Sequence, residues 1–261
     1  MINYRKLSIK DIDSIDRLIS VEKNNYKEFL RIGWSTSQIL NQLNKNTNFS
    51  FGSFFNDSLI SFILGDLFDW WPGDDTNQFK KVITLLKQVS NESKIYFICG
   101  NRDYLIGKKF AKETNITILP DHQLIKLGKE KAIILHGDTL CTDDKKYQKF
   151  RKFSRSWISK KGFLLFPKYL KDCIFNFARK KSNYDKSSKN KDIMDVNELA
   201  VKKLFNEFNN PPIMIHGHTH RPKIHTYNIN GLESKRVVLS DWHESGSFLL
   251  WDKGKLKNMK V

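Results

Sequence analysis

The sequence predicts an α/β fold in which several short strands end on a common edge. Three observations lead there. Four short apolar runs each close on residues that can hold a metal: 61–64 runs into Gly65-Asp66, 94–99 into Gly100-Asn101-Arg102-Asp103, 131–135 into His136-Gly137-Asp138, and 212–215 into His216-Gly217-His218-Thr219-His220. Helical patterns separate these runs, in the order strand, loop, helix, strand. The apolar fraction of 39%, with 19 Phe, can fill a core. Strands of one sheet end on one edge, so side chains far apart in sequence can converge there on a metal.

Along the chain, residues 4–9 read as a strand. A helix follows from Asp11, with Ile12, Ile15, Leu18 and Ile19 on one face. Ser35, Thr36 and Ser37 offer a cap for a second helix carrying Ile39, Leu40 and Leu43. Residues 49–55 and 58–64 read as a hairpin about Asn56-Asp57. Beyond it, 79–89 is a helix between the first two metal loops, and 110–113 is part of another. Residues 116–119 and 123–127 are short strands before the His136 loop. Residues 144–181 are mostly helical, broken into a pair at Phe166-Pro167. A helix over 196–208 stops at Asn209-Asn210-Pro211-Pro212. The tail 224–251 is β-rich, with turns at Asn230-Gly231 and Gly246.

The formal net charge of +17 calls for an anionic partner: nucleic acid, anionic lipid or a phosphorylated substrate. A Lys- and Asn-rich composition accounts for part of this bias, but not for its clustering. Between Lys145 and Lys191 the only acidic residues are Asp172 and Asp185. Cys99, Cys141 and Cys173 are odd in number and widely spaced, as expected of reduced thiols in the cytoplasm. No apolar run approaches the roughly 18–20 residues that span a bilayer. No signal-peptide core follows the start of the chain, so a soluble cytoplasmic protein is expected.

Taken singly, the metal-type residues say little. Gly-Asp and Gly-Asn are ordinarily turns, and one histidine after a strand is more often structural than ligating. In order they say much more. Asp66 offers two anionic oxygens, enough to bridge two cations. Asn101 offers a neutral carbonyl oxygen where another carboxylate would overcharge the site. His216, His218 and His220 alternate, so an extended segment puts all three on one face, although only two need bind metal.

These motifs resemble those of calcineurin-like metallophosphoesterases, and more narrowly those of bacterial UDP-2,3-diacylglucosamine hydrolases, which act in lipid A biosynthesis. The resemblance covers residues from about 61 to 251. It rests on 63–68, Gly73-Asp74-Asp75, 100–105 with arginine at Arg102, and 136–144. It continues through 193–197, 216–222, 236–239 and Trp242-His243. It implies an αββα sandwich with a helical lid at about 145–191, forming a unit over 61–261. It also implies a metal-dependent pyrophosphate hydrolase using Mn2+, two ions per site in the family. Asp66 would bridge the ions, and Asn101, His136 and His218 would complete the second ion's shell. His220 would serve the first ion, together with a D-x-H at the end of an opening strand. That first strand is missing from the pattern, because no histidine precedes His122. The sequence thus supports one whole cation site, with Asp66 and His220 alone left of the other, and weak or absent turnover.

Arg102, Asn101 and His218 are the expected catalytic residues. The planar guanidinium of Arg102 would clamp a phosphoryl oxygen, the rival role being an ion pair with Asp103. By family position, Asn101, Arg102, Asp144, Ser182, Lys186, Lys189 and His218 would contact substrate, although asparagine is usual where Lys186 stands. Aromatic and basic residues interleave in the lid, the composition of an amphipathic surface that meets anionic lipid. The lid would hold acyl chains against the cytoplasmic face of the inner membrane. A helical pair with an ordinary solvated charged face is the rival. UDP-2,3-diacylglucosamine and the membrane surface are then the partners, with no nucleic acid and no protein partner implied. Residues 1–63 resemble the start of a GNAT-superfamily acetyltransferase of the type that acetylates ribosomal-protein N-termini. The Gly-rich acetyl-CoA loop of that family does not follow, so an N-terminal fragment over 1–60, not a working acetyltransferase, is expected. The other reading of the whole is a phosphoesterase remnant that binds lipid or UDP-sugar without turnover.

Overall fold

The computed structural model describes residues 49–55, 58–177, 195–240, 247–252 and 254–260. The elements expected before residue 48 and the Gly246 turn lie outside them. Eleven strands are described: β1 (Phe49–Phe55), β2 (Ser58–Ile63), β3 (Lys94–Ile98), β4 (Thr117–Leu119), β5 (His122–Leu127), β6 (Glu130–Leu135), β7 (Ile213–His216), β8 (Lys223–Ile229), β9 (Leu232–Val238), β10 (Ser247–Asp252) and β11 (Lys255–Lys260). They form a six-stranded sheet in the order β11-β10-β1-β2-β3-β4 and a five-stranded sheet in the order β5-β6-β7-β9-β8.

The strands nearest the site are apolar on both faces, and the reason lies in the layers. Phe62, Leu64 and Ile98 from the larger sheet meet Ile134, Ile215 and Val237 from the smaller one, forming the core between sheets. One residue further along each strand, the side chains face the other way. Ile63, Ile95 and Phe97 pack against Leu86 of helix α1 (Lys80–Glu92) and Phe110 of helix α2 (Lys108–Thr114). Ile133, Leu135 and Met214 pack against Val201, Leu204 and Phe205. A helix thus covers the outer face of each sheet, which is the expected αββα sandwich.

Three helices follow the His136 loop: α3 (Lys145–Ser154), α4 (Trp157–Leu164) and α5 (168–177). The break at Phe166-Pro167 is where the sequence reading puts it. A second break, after Ser154, arises because Ser156 adopts an extended backbone and caps α4 by accepting from the Ser159 N–H at 3.3 Å. Trp70 anchors the helical insertion: Phe175 stacks on it at 4.2 Å and Phe163 meets it edge-on at 6.0 Å. The next helix, α6 (Glu198–Glu207), is capped by Asn197, which accepts from the Leu199 and Ala200 N–H groups. Asn230 and Gly231, both at positive φ, make the tight β8–β9 turn.

Strand β1 pairs antiparallel with β2 across the expected hairpin, Phe55 opposite Ser58 and Phe49 opposite Ile63. It runs parallel to β10. The first strand of the hairpin is thus hydrogen-bonded into the larger sheet. The orientation also matters for the site. β2 and β3 are parallel and deliver their last residues to one edge, whereas β1 brings its first residue there.

Candidate metal centre

Each metal-type side chain lies just beyond the C-terminal end of a strand. Gly65 (φ +85) and Asp66 (φ +57) turn the chain sharply after β2. Asp66 is positioned by the next loop: the Arg102 backbone N–H donates to Asp66 Oδ1 at 3.0 Å. Asp103, buried beneath, accepts from the Gly100 N–H at 2.7 Å and the Leu67 N–H at 2.8 Å, so one carboxylate ties the Asp66 loop to the Asn101 loop. Burial, reinforced by the Asp66 charge, raises the Asp103 carboxyl above the usual carboxylate range.

His136 and His218 come from the smaller sheet and cross to meet them. His136 Nδ1 lies 2.7 Å from the Leu64 carbonyl, which can only accept, so Nδ1 carries the proton and Nε2 presents a lone pair. That Nε2 lies 3.0 Å from Asn101 Oδ1, 3.1 Å from His218 Nδ1 and 3.7 Å from Asp66 Oδ2. His218 Nδ1 is also 3.0 Å from Asn101 Oδ1. Ligand atoms of Asp66, His136 and His218 all lie within 4.8 Å of one another. Burial, then the neighbouring His136, pushes the His218 imidazole down to about 4, leaving it neutral at pH 7.

The expectation that all three alternate histidines share a face does not hold. The extended backbone ends at His216, and His218 (φ +67) and His220 (φ +53) adopt left-handed conformations. His216 is fully buried, with Nδ1 at 2.8 Å from the Gly217 carbonyl and Nε2 accepting from Arg236 Nη1 at 3.1 Å. Burial pushes it down to about 3. His220 is exposed and stands outside the Asp66–His136–His218 cluster.

Arg102 does not pair with Asp103, whose oxygens accept from backbone. Its Nη1 instead forms an ion pair with Asp69, and its Nε lies 3.6 Å from Asp66 Oδ2. The Asp144 side chain accepts from the Tyr147 N–H at 3.0 Å, capping α3. Ser182, Lys186, Lys189, Trp242 and His243 lie outside the described residues.

A buried ionic group missed by sequence reasoning stands behind the ligands. Asp138 Oδ2 accepts from Tyr147 Oη and Arg151 Nε, each at 2.7 Å, and from Arg155 at 3.4 Å. Arg151 and Arg155 also reach Asp121 at 2.7 and 2.8 Å. Burial raises the Asp138 carboxyl, but His136, Arg151 and Arg155 outweigh it and hold the group well below the usual carboxylate range. The available signal was the four-residue spacing of Tyr147, Arg151 and Arg155, one face of a helix.

Comparison with known proteins agrees with this geometry. The pattern of the Calcineurin-like phosphoesterase family matches residues 34–222, beginning ahead of β1. The chain is 45% identical to the UDP-2,3-diacylglucosamine hydrolase of Vibrio parahaemolyticus over 195 residues, 72% of this chain and 78% of that one. It is 43% identical to the enzyme of that name from Yersinia enterocolitica over 202 residues, 76% and 84% of the two chains. For the Proteus mirabilis protein of the same name the identity is 44% over 71% and 78%. With ligand-type side chains from both sheets on one rim and identity of this extent, the chain belongs to the calcineurin-like phosphoesterases, in the group of UDP-2,3-diacylglucosamine hydrolases.

Proposed function

We propose that this chain hydrolyses the pyrophosphate bond of UDP-2,3-diacylglucosamine to UMP and 2,3-diacylglucosamine 1-phosphate, a step of lipid A biosynthesis. The reaction would use a centre with one complete divalent-cation site. The convergence of Asp66, Asn101, His136 and His218 carries this reading. The Asn101 oxygen and the facing His136 and His218 ring nitrogens lie 3.0–3.1 Å apart. That spacing suits adjacent vertices of an octahedron with ligands about 2.1 Å from its centre, where the vertices lie about 3 Å apart. Mixed oxygen and imidazole donors suit Mn2+. When bound, the cation neutralises pyrophosphate charge and acidifies water.

The chain's own residues do the rest. Asp66 supplies the anionic ligand, and Asn101 adds a donor without adding charge. The Leu64 carbonyl fixes the His136 tautomer so that Nε2 faces the cation. Arg102 presents a planar donor fork to a phosphoryl oxygen, steadied by Asp69 and Asp66. The leaving group is a phosphate monoester, so its departure calls for charge neutralisation by Arg102 more than for a proton donor. Asp144, Ser182, Lys186 and Lys189 would contact the substrate, and the helical insertion would hold its acyl chains on the cytoplasmic face of the inner membrane.

His220 and Asp66 remain for a second cation, and two features argue that they do not suffice. The chain has no histidine before His122, and β1 brings its first residue, not its last, to the metal edge. Release of UMP with Mn2+, followed by phosphorus NMR beside the Vibrio parahaemolyticus relative, should be slower by about tenfold or more. Equal rates would overturn the one-cation reading. Complete absence of UMP would overturn hydrolysis in favour of a lipid- or UDP-sugar-binding role.

A further inference from the structure

We infer that the first helix of the insertion positions the metal ligands, through a ladder formed by Tyr147, Arg151 and Arg155. The three residues follow at intervals of four, so they share one face of α3 and its C-terminal cap. Their grip falls on the two loops that carry Asn101 and His136. Arg155 Nη2 donates to the Gly100 carbonyl, one residue before Asn101, at 2.8 Å. Tyr147 Oη and Arg151 Nε donate to Asp138, two residues after His136, at 2.7 Å each. Asp121 bridges both guanidinium groups from the far side, accepting from Arg151 at 2.7 Å and Arg155 at 2.8 Å.

The Asn101 loop leaves the larger sheet and the His136 loop leaves the smaller one. The ladder therefore spans the seam between sheets at the point where the donor atoms must stay about 3 Å apart. Both guanidinium groups are largely buried, with side chains 15% and 13% exposed, and Asp138 is nearly inaccessible at 2%. Charges in such surroundings are costly to shift, so the ladder has one favoured geometry. Tyr147 adds a third tie by stacking its ring over His218 at 6.2 Å. The ladder acts through Asn101, His136 and, by the Tyr147 ring, His218, and it rests on the reading of those residues as cation ligands.

The test is the Mn2+ affinity of the full chain, read from the electron paramagnetic resonance signal of free Mn2+ well below the melting temperature. Arg155→Met and Arg151→Met should each weaken binding by about tenfold to a hundredfold, the range seen when groups that orient metal ligands are lost. Arg155→Lys, which keeps one donor, should fall between them and the wild type. A stability control is Leu204→Ala, in the core on the far side of the smaller sheet. It should lower the melting temperature at least as much and leave Mn2+ affinity unchanged. If the arginine variants bind Mn2+ as the wild type does, or if Leu204→Ala weakens binding equally, the ladder has no positioning role and the inference fails. If the wild type itself binds no Mn2+, the ligand reading falls, and this inference with it.

Discussion

At Gly100 the chain has no room for a side chain. A Cβ there would fall inside the contact shell of both Asp66 Oδ1 and the Asp66 backbone nitrogen. Gly65, at φ +85, is similarly confined: its Cβ would come within 2.5 Å of Gly100 Cα and of His136 Nδ1. The two glycines therefore let the Asp66 and Asn101 loops close on one another and on the imidazole. Gly100→Ala should force Asp66 away from His136, at a cost of about 1–3 kcal/mol in stability from overpacking. A sharper consequence concerns the cation. Anything bound only by the folded state raises the melting temperature. Mn2+ should raise it for the wild type and fail to do so for Gly100→Ala. A full Mn2+-induced rise in the variant would show that Asp66 is not held for metal by this close approach.

Among the elements, α2 depends on a residue that lies far before it in sequence. The helix has no cap at its own N-terminal flank, where Gly107 is extended. Asp74 supplies one from the preceding loop, accepting from the Gly107, Lys109 and Phe110 N–H groups at 3.0–3.1 Å, and from the Trp71 indole N–H at 3.1 Å. Asp74→Ala should cost about 1–2 kcal/mol in urea denaturation, since three backbone N–H groups at the helix start and the Trp71 indole lose their acceptor. Asp75→Ala, next along the chain, removes only a 90%-exposed carboxylate paired with Lys109 and should change stability by less than about 0.5 kcal/mol. Equal effects would mean that Asp74 is not the cap. A connection of this kind is poorly legible in sequence, because nothing local marks Asp74 as the partner of a helix beginning at Lys108. What was legible was local. The hairpin of β1 and β2 followed from a turn pair between two apolar runs. The strands beneath the metal loops followed from apolar stretches too short for helices. Asp66, Asn101, His136 and His218 were legible as candidates because each stands within three residues of the end of such a stretch. The shared face expected for His216, His218 and His220 did not form because alternation holds only while the backbone stays extended, and the left-handed turns at His218 and His220 end it. The Asp138 ladder escaped because its arginines sat in a basic segment that reads equally well as a solvated surface.

Over the molecule as a whole, the apolar surface is unevenly placed. Phe153, Trp157, Ile158, Leu165, Tyr169 and Phe177 are each 69–79% exposed, and all belong to the segment 145–177. That segment is also strongly basic, its one acidic residue being Asp172. Exposed side chains of this size gather where a protein meets another apolar phase. Among the described residues no helix is long and apolar enough to cross a membrane. The combination fits shallow seating on an anionic lipid surface, with aromatic groups entering the boundary and lysines facing the headgroups. The insertion also leads, through α3, to the loops that carry Asn101 and His136, so under the proposed function a lipid-bound insertion would bring the pyrophosphate close to Arg102. Binding to vesicles containing phosphatidylglycerol should therefore weaken about tenfold or more in the double variant Trp157→Glu, Ile158→Glu, because apolar burial is lost at two positions and charge attraction is reduced. Its melting temperature should hold, since neither side chain is part of the core. Higher salt should weaken wild-type binding in part and leave an apolar remainder. Undiminished co-sedimentation of the double variant would place the lipid contact elsewhere. Complete loss of wild-type binding in salt would mean that the exposed aromatic groups contribute nothing to it.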